Sequence, residues 1–150
     1  MLLPDLLGGN RPVLWMDQIR LLMEMNEELG EEGLVLSQKE AGEILQERNR
    51  VLQHCDRIEL EVELTRKLMR TFAASPFVHQ GNFVSVLHDL HEIFYFLKNE
   101  TEDQLPDDTV IARLKELFDG LCEGSVEMLR GQGLEVFMER YRKEITAKGL

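Results

Sequence analysis

Apolar side chains recur three or four positions apart along most of the chain, which is the spacing of one face of an α-helix. The clearest stripe lies within 82–99, where Phe83, Leu87, Leu90, Phe94 and Leu97 share a face. Equivalent stripes predict helices over 13–29, 37–55, up to 72, 110–121 and 134–145. We therefore predict an all-α, bundle-like fold of about six helices. In this interpretation residues 1–150 form one compact domain, and residues 1–12 are irregular.

Capping and breaking residues mark the ends of several predicted helices. Ser37 precedes an apolar run and Glu40 follows three positions later, which is the pattern of a capping box. We expect Gly30 to stop the first helix and Pro76 to stop the third, because proline disfavours helical geometry in the residue before it. Gly120, Gly124, Gly131 and Gly133 are expected to break the chain around a short helical turn at 126–129, ahead of the last helix.

The segment 58–64 alternates apolar and acidic residues, which in isolation is typical of a strand. Glu and Leu are strong helix formers, however, and no partner strand is evident elsewhere in the sequence. We therefore predict that this segment is helical and runs without a break into the third helix.

The charge balance is acidic, with 17 basic and 28 acidic residues and a formal net charge of −11. Such a chain has no general attraction for a phosphate backbone, so we expect no nucleic acid partner. Charged residues interrupt every apolar run before it could span a bilayer, and Pro4 and Asp5 break the apolar start. Cys55 and Cys122 match no zinc or redox spacing. These features predict a soluble, cytoplasmic protein with no membrane partner.

The predicted fourth helix, over 82–99, also carries a polar strip. Helical spacing brings five side chains together: His88, His91, Glu92, Tyr95 and Asn99. Two imidazoles one turn apart beside a carboxylate are suitable ligands for a divalent metal. The other interpretation is a polar face satisfied by water or by a neighbouring helix. The zincin motif and the Glu-x-x-His motif of di-iron bundles are both absent from the sequence.

One dipeptide suggests an enzyme. His88-Asp89, within VLHDLHE, resembles the signature of HD-type phosphohydrolases, all-helical enzymes whose His, His-Asp and a later Asp bind metal. The resemblance implies further ligands upstream and downstream: His54 or His79, and Asp107, Asp108 or Asp119. Such a metal would generate hydroxide and polarise a phosphoryl oxygen. The glycine and basic residues that usually follow the dipeptide in that family are missing here.

The first predicted helix presents an apolar face formed by Trp15, Met16, Ile19 and Met23. Methionine adapts its shape to different contacts, so this face is suited to the core, to a dimer surface or to a partner. A basic patch is predicted at Arg66, Lys67 and Arg70, with Arg48, Arg50 and Arg57 nearby in sequence. Glutamates are interleaved with these residues, and we expect i, i+4 ion pairs to neutralise them.

Three segments carry a resemblance to a known family: LSQKEAGEILQERNRVLQHCDRIELEVELTRKL, SPFVHQGNFVSVLHDLHEIFYFLKNET and GSVEMLRGQGLE. Together they cover about residues 36 to 138. They resemble a family of small bacterial helical proteins described only as a domain of unknown function. The resemblance implies a bacterial cytoplasmic protein and supplies no activity, cofactor or catalytic residue.

No catalytic constellation is complete in this sequence. We therefore expect a non-catalytic interaction or structural domain, without a cofactor, that associates with itself or with another protein. The alternative is a metal-dependent phosphohydrolase of HD type that uses His88 and Asp89. The enzyme needs its ligands to converge at about 2.0–2.2 Å from one metal, whereas an interaction domain needs a contiguous apolar surface.

Overall fold

The structure, a computed structural model, describes residues 14–149. Within these residues every regular element is helical. The elements are α1 over 14–23, α2 (Asn26–Leu29), α3 (Gln38–His54), α4 (Glu63–Ala73), α5 (Phe83–Glu100), α6 (Asp107–Asp119), α7 (Val126–Met128) and α8 (Leu134–Ala147). All but α2 and α7 are long helices, so the predicted all-α fold of about six helices is confirmed. The predicted irregular segment 1–12 lies outside the described residues.

The central helix is α5, the fourth helix predicted from the sequence. It packs against α3, α4 and α6, and its buried side chains lie on most of its sides. The apolar residues around it form one hydrophobic core, in which Phe72 and Phe118 meet edge to face with ring centroids 5.4 Å apart. In the part of the chain described here, no helix is long and apolar enough to cross a membrane.

The predicted capping box at the start of α3 is confirmed. Ser37 Oγ accepts a hydrogen bond from the Glu40 backbone N–H at 3.1 Å, and Glu40 Oε1 accepts one from the Ser37 N–H at 2.9 Å. Two backbone donors that the helix cannot satisfy are thereby bonded. The cap fixes where α3 begins, and with it which residues of α3 face α5.

The prediction of one continuous first helix ending at Gly30 is wrong. A turn at residues 24–25 separates α1 from α2, and a short 3₁₀ turn, Gly30–Glu32, follows α2. The chain leaves the helix at Gly33, whose φ of +76° is the left-handed geometry that glycine adopts without strain. The Asn26 side chain pairs with both the N–H and the C=O of Leu36, at 2.7 and 2.8 Å. This long-range bond holds α2 against the start of α3.

The prediction of helix through 58–64 is also wrong, because residues 57–62 are neither helix nor strand and α4 begins only at Glu63. The chain turns at Asp56, whose φ is +56°. Side chains from other helices then bond the carbonyls that a helix would use: Arg48 donates to the C=O of Glu59 and Glu61, at 2.6 and 2.7 Å. Gln18 donates to the C=O of Leu60 at 3.1 Å. These tertiary contacts outweigh the helical preference of Glu and Leu.

The predicted glycine break is confirmed at Gly120 and Gly124, since residues 120–124 form a turn before α7, but it is wrong at Gly131 and Gly133. A π-helical turn, Leu129–Gly133, joins α7 to α8 without interruption. A side chain at Gly133 would lie 3.3 Å from Cys122 Sγ and 2.9 Å from Leu129, so glycine permits close packing here. The wider turn places Arg130 beside α5. Turns of this kind occur often near functional sites.

Candidate functional site

The predicted polar strip of α5 does not form one surface, because two of its members are buried. His91 is 0% exposed and Tyr95 is 1% exposed. The ring of His91 bonds on both sides: Nδ1 lies 2.8 Å from the C=O of Leu87, and Nε2 lies 2.8 Å from the hydroxyl of Thr65. A carbonyl only accepts, so Nδ1 carries the proton and Nε2 accepts from Thr65. Both ring nitrogens are therefore committed to the fold.

Burial lowers the pKa of His91 to about 4. Desolvation is the main cause of the lowered pKa; the bond to Leu87 opposes it, and the positive charge of Arg48 acts in the same direction as the desolvation. The imidazole is therefore neutral at physiological pH, which agrees with the hydrogen bonds that it makes. Tyr95 is buried as well. Burial raises its pKa above the usual range, and Arg57 lies 5.5 Å from the centroid of its ring.

Glu92, a half-buried member of the strip, belongs to an ion-pair network, whereas His88 Nε2 is buried without a hydrogen-bond partner among the described residues. Arg50 bonds Glu92 at 2.7 Å, and Arg130 bonds Asp89 at 2.7 Å and lies 3.4 Å from Glu92. Arg50 also bonds Glu47, whose pKa is lowered by that hydrogen bond. Asn99 is bonded to Arg57 and to the C=O of Cys55. The polar face of α5 thus joins α3, the residues after it and the π-helical turn to the core helix.

The residues predicted as metal ligands lie in separate places. Asp119 accepts from Ser75 Oγ at 2.6 Å and pairs with Lys115, while His79 Nδ1 accepts from the Gly81 N–H at 3.1 Å in a surface turn. His54 lines a cleft of about 350 Å³ between α3, α5 and α8. Over the described range 14–149, no group of three or more His, Cys, Asp or Glu side chains is placed to hold a metal. The helix packing gives His54, His79 and Asp119 different neighbours. These three side chains therefore do not converge with His88 and Asp89 on one metal position.

The predicted apolar face of α1 is also partly buried and partly exposed. Ile19 is buried, and Trp15 and Met23 pack against the core, where Trp15 reaches within 4 Å of the position a side chain at Gly42 would take. Met16 remains 54% exposed. The stripe is therefore mostly core, and only its edge reaches solvent.

Leu14 and Trp15, at the start of α1, line a cleft of about 660 Å³. Three parts of the chain line it: α1, α3 and the segment 57–62. We refer to it as the α1–α3 cleft. Its lining residues are Leu14, Trp15, Gln18, Arg48, Asn49, Glu59 and Leu60. The volume lies within the range of about 300–1,000 Å³ typical of ligand sites.

Two leucines that line this cleft are exposed to solvent. Leu14 is 49% exposed and Leu60 is 75% exposed. Ile58, on the same segment as Leu60, is 87% exposed and lines an adjoining depression that shares Arg48, Asn49 and Glu59 with the cleft.

Arg48 is the functional candidate that the sequence analysis missed. Its side chain is only 3% exposed, and burial lowers its pKa below the ordinary arginine value. It makes no ion pair with any described carboxylate, contrary to the prediction that interleaved glutamates neutralise this group of basic residues. A signal was present: Arg48 is spaced by three or four residues from Ile44, Leu45 and Val51, on the buried stripe of α3.

Comparison with known proteins gives a family but no activity. Residues 21–147 match a family of unknown function, DUF6323. The chain belongs to that family. The match confirms the resemblance to a domain of unknown function, and the bacterial origin that the resemblance implied stays a prediction. No curated protein and no solved structure matches the chain. A function for this member of DUF6323 is therefore argued from its own geometry.

Proposed function

We propose that the protein is a non-catalytic interaction domain that binds a segment of a partner protein in the α1–α3 cleft. The observation that carries the proposal is a group of exposed apolar residues at one concave surface: Leu14 and Leu60 line the cleft of about 660 Å³, and Ile58 lines the depression beside it. Single exposed apolar residues are ordinary, but a cluster beside a concavity is typical of a binding surface.

The backbone of the segment that carries Leu60 is fixed by hydrogen bonds, which favours its use as a binding surface. Backbone carbonyls of residues 59, 60 and 61 are held by Arg48 and Gln18, which project from α3 and α1. A segment fixed in this way loses little conformational freedom when a partner docks, so more of the contact energy appears as affinity. The exposed Leu60 is thus presented from a preorganised backbone.

The alternative of an HD-type phosphohydrolase receives less support. Its chemistry needs His88 and Asp89 to share a metal with an upstream histidine and a later aspartate. Asp89 is paired with Arg130 instead, and Asp119 with Ser75 and Lys115. The separation of these side chains favours the interaction domain as the proposal.

We also infer that the protein acts in the cytoplasm. Cys55 and Cys122 are free thiols, and free cysteines are typical of reducing compartments. The net charge of −11 supports a protein partner over nucleic acid.

Peptide display on the purified protein tests the proposed function. A library of random short peptides is selected on the wild type, and the enriched peptides are measured by fluorescence anisotropy against wild type and Leu60→Asp. Burial of a leucine contributes about 1.5–3 kcal/mol, so we expect Leu60→Asp to weaken binding roughly tenfold or more. The matched control is Val35→Asp, which places the same charge on a residue that is 66% exposed and does not line the cleft.

Two results would contradict the proposal. One is the absence of any enriched peptide, or enrichment of peptides that bind Leu60→Asp as well as the wild type. The other is a dimeric mass by light scattering that Leu60→Asp converts to a monomer, because the cleft would then receive a second copy of the chain.

A further inference from the structure

The floor of the α1–α3 cleft contains a cation without a matching anion. The Arg48 guanidinium donates to Asn49 Oδ1 at 2.7 Å and to the carbonyls of Glu59 and Glu61 at 2.6 and 2.7 Å. All three acceptors are neutral. In the part of the chain that the structure describes, no carboxylate oxygen lies within 4.0 Å of its nitrogens.

The bonds that Arg48 makes do not use its full capacity. A guanidinium has five N–H groups, and three of them are bonded here. The remaining two, on Nε and on Nη1, have no acceptor among residues 14–149. A largely buried cation whose described acceptors are all neutral would gain from an anion that docks in the cleft.

The surroundings of Arg48 restrict the chemistry of that anion. Trp15, Leu14 and Leu60 provide apolar walls, and Asn49 is an exposed polar residue on the same side of the cleft. Among the described lining residues, Glu59 is the one other charged side chain, and its carboxylate lies outside ion-pair distance of Arg48. A carboxylate that docks near Arg48 would therefore be attracted by the guanidinium and repelled by Glu59.

We infer that Arg48 recognises a carboxylate on the partner segment, an Asp or Glu side chain or a free C-terminus, flanked by apolar residues that cover Leu60 and Trp15. Both Nη2 hydrogens of Arg48 are already bonded to carbonyls, so a docked carboxylate would accept a single charge-assisted hydrogen bond, from Nε or from Nη1. Arginine and aromatic residues in a partly desolvated pocket are also the residues that most often dominate binding energy. The inference rests on the proposed function and specifies the chemistry of its partner.

The experiment uses the peptides enriched by display on the full chain. For each peptide, the acidic residue nearest its apolar residues is changed to the neutral amide, Glu→Gln or Asp→Asn, and both forms are titrated by fluorescence anisotropy. A hydrogen-bonded charge is a strong contact, so we expect the neutral form to bind roughly tenfold more weakly or worse.

A protein variant that leaves Arg48 intact gives the second measurement. Glu59→Gln removes the repelling charge, and we expect it to bind the acidic peptides several-fold more tightly than the wild type. The matched control is Glu61→Gln, which makes the same change of charge on the same segment outside the cleft lining. We expect it to alter affinity less than Glu59→Gln. Arg48→Met is not the primary test, because it also releases the carbonyls of residues 59 and 61.

The outcomes distinguish a failure of the carboxylate inference from a failure of the proposed interaction domain. The inference is supported by peptides that carry an acidic residue beside apolar ones, bind the wild type more weakly after amidation, and bind Glu59→Gln more tightly than the wild type. Peptides that need Leu60 but carry no acid, or that tolerate amidation, overturn the inference and leave the interaction domain standing. Basic peptides that weaken with Glu59→Gln also overturn it, because Glu59 would then be the recognising charge. If no peptide depends on Leu60, the proposed function fails and the inference fails with it.

Discussion

The buried His91 makes the stability of this protein depend on pH in a way that one substitution isolates. We consider His91→Gln, because glutamine has no titration in the accessible range and its amide offers one donor and one acceptor group to replace those of the ring. In the native state His91 bonds Leu87 and Thr65 as a neutral ring, and burial lowers its pKa to about 4. In the unfolded chain the pKa of a histidine is about 6.5.

The sign and size follow from proton binding in the two states. Above about pH 6.5 both states are neutral at this residue, so its contribution to stability is complete. As the pH falls toward 4, the unfolded chain binds a proton that the folded protein excludes, and stability is lost. The loss is about 2 kcal/mol at pH 5 and approaches about 3 kcal/mol below pH 4, where both states are protonated and the loss ends.

The assay is urea unfolding followed by circular dichroism, repeated between about pH 7.5 and about pH 5 for wild type and His91→Gln. Other groups titrate in the same range, but they are common to both proteins, so the difference in unfolding free energy reports His91. We expect the wild type to lose about 2 kcal/mol relative to the variant over this interval. A difference that does not change with pH would refute the reasoning, because it would mean that the folded protein admits the proton on His91.

Three further predictions test the packing around this core. Thr65→Val leaves Nε2 of His91 buried without a partner and should cost about 1–3 kcal/mol in urea unfolding, whereas Thr65→Ser, which keeps the hydroxyl, should cost less. Gly124→Ala should destabilise by more than about 1 kcal/mol, since Gly124 has a φ of +80° and the new methyl would lie 2.3 Å from Phe77 Cβ. Phe77→Gly, which removes the clashing Cβ, should recover part of that cost in the double variant; additive losses would contradict the clash. Ser37→Ala should cost about 1 kcal/mol by thermal unfolding through loss of the capping box, and an unchanged midpoint would contradict it.

The polar residues of α5 show which features of the candidate site can be predicted from the sequence. Helical spacing correctly placed His88, His91 and Glu92 on adjacent turns, but spacing gives only the direction of a side chain around its own helix. Which element covers that direction depends on packing. Here α3 and α4 cover His91, while Arg50 and Arg130 reach Glu92 from outside. The metal ligands predicted from the HD resemblance failed to converge for the same reason.

Local signals in the sequence determined the helical class, the stripe of α5 and the start of α3 at Ser37, because each depends on residues within a few positions of one another. The tertiary structure decided the segment 57–62, where Arg48 and Gln18 take the carbonyls that a helix would have used. It also decided that Arg48 is buried beneath the cleft without a described carboxylate beside it. A hydrogen bond between distant residues outweighs a propensity worth less than about 1 kcal/mol per residue, and only the fold shows which distant residues meet.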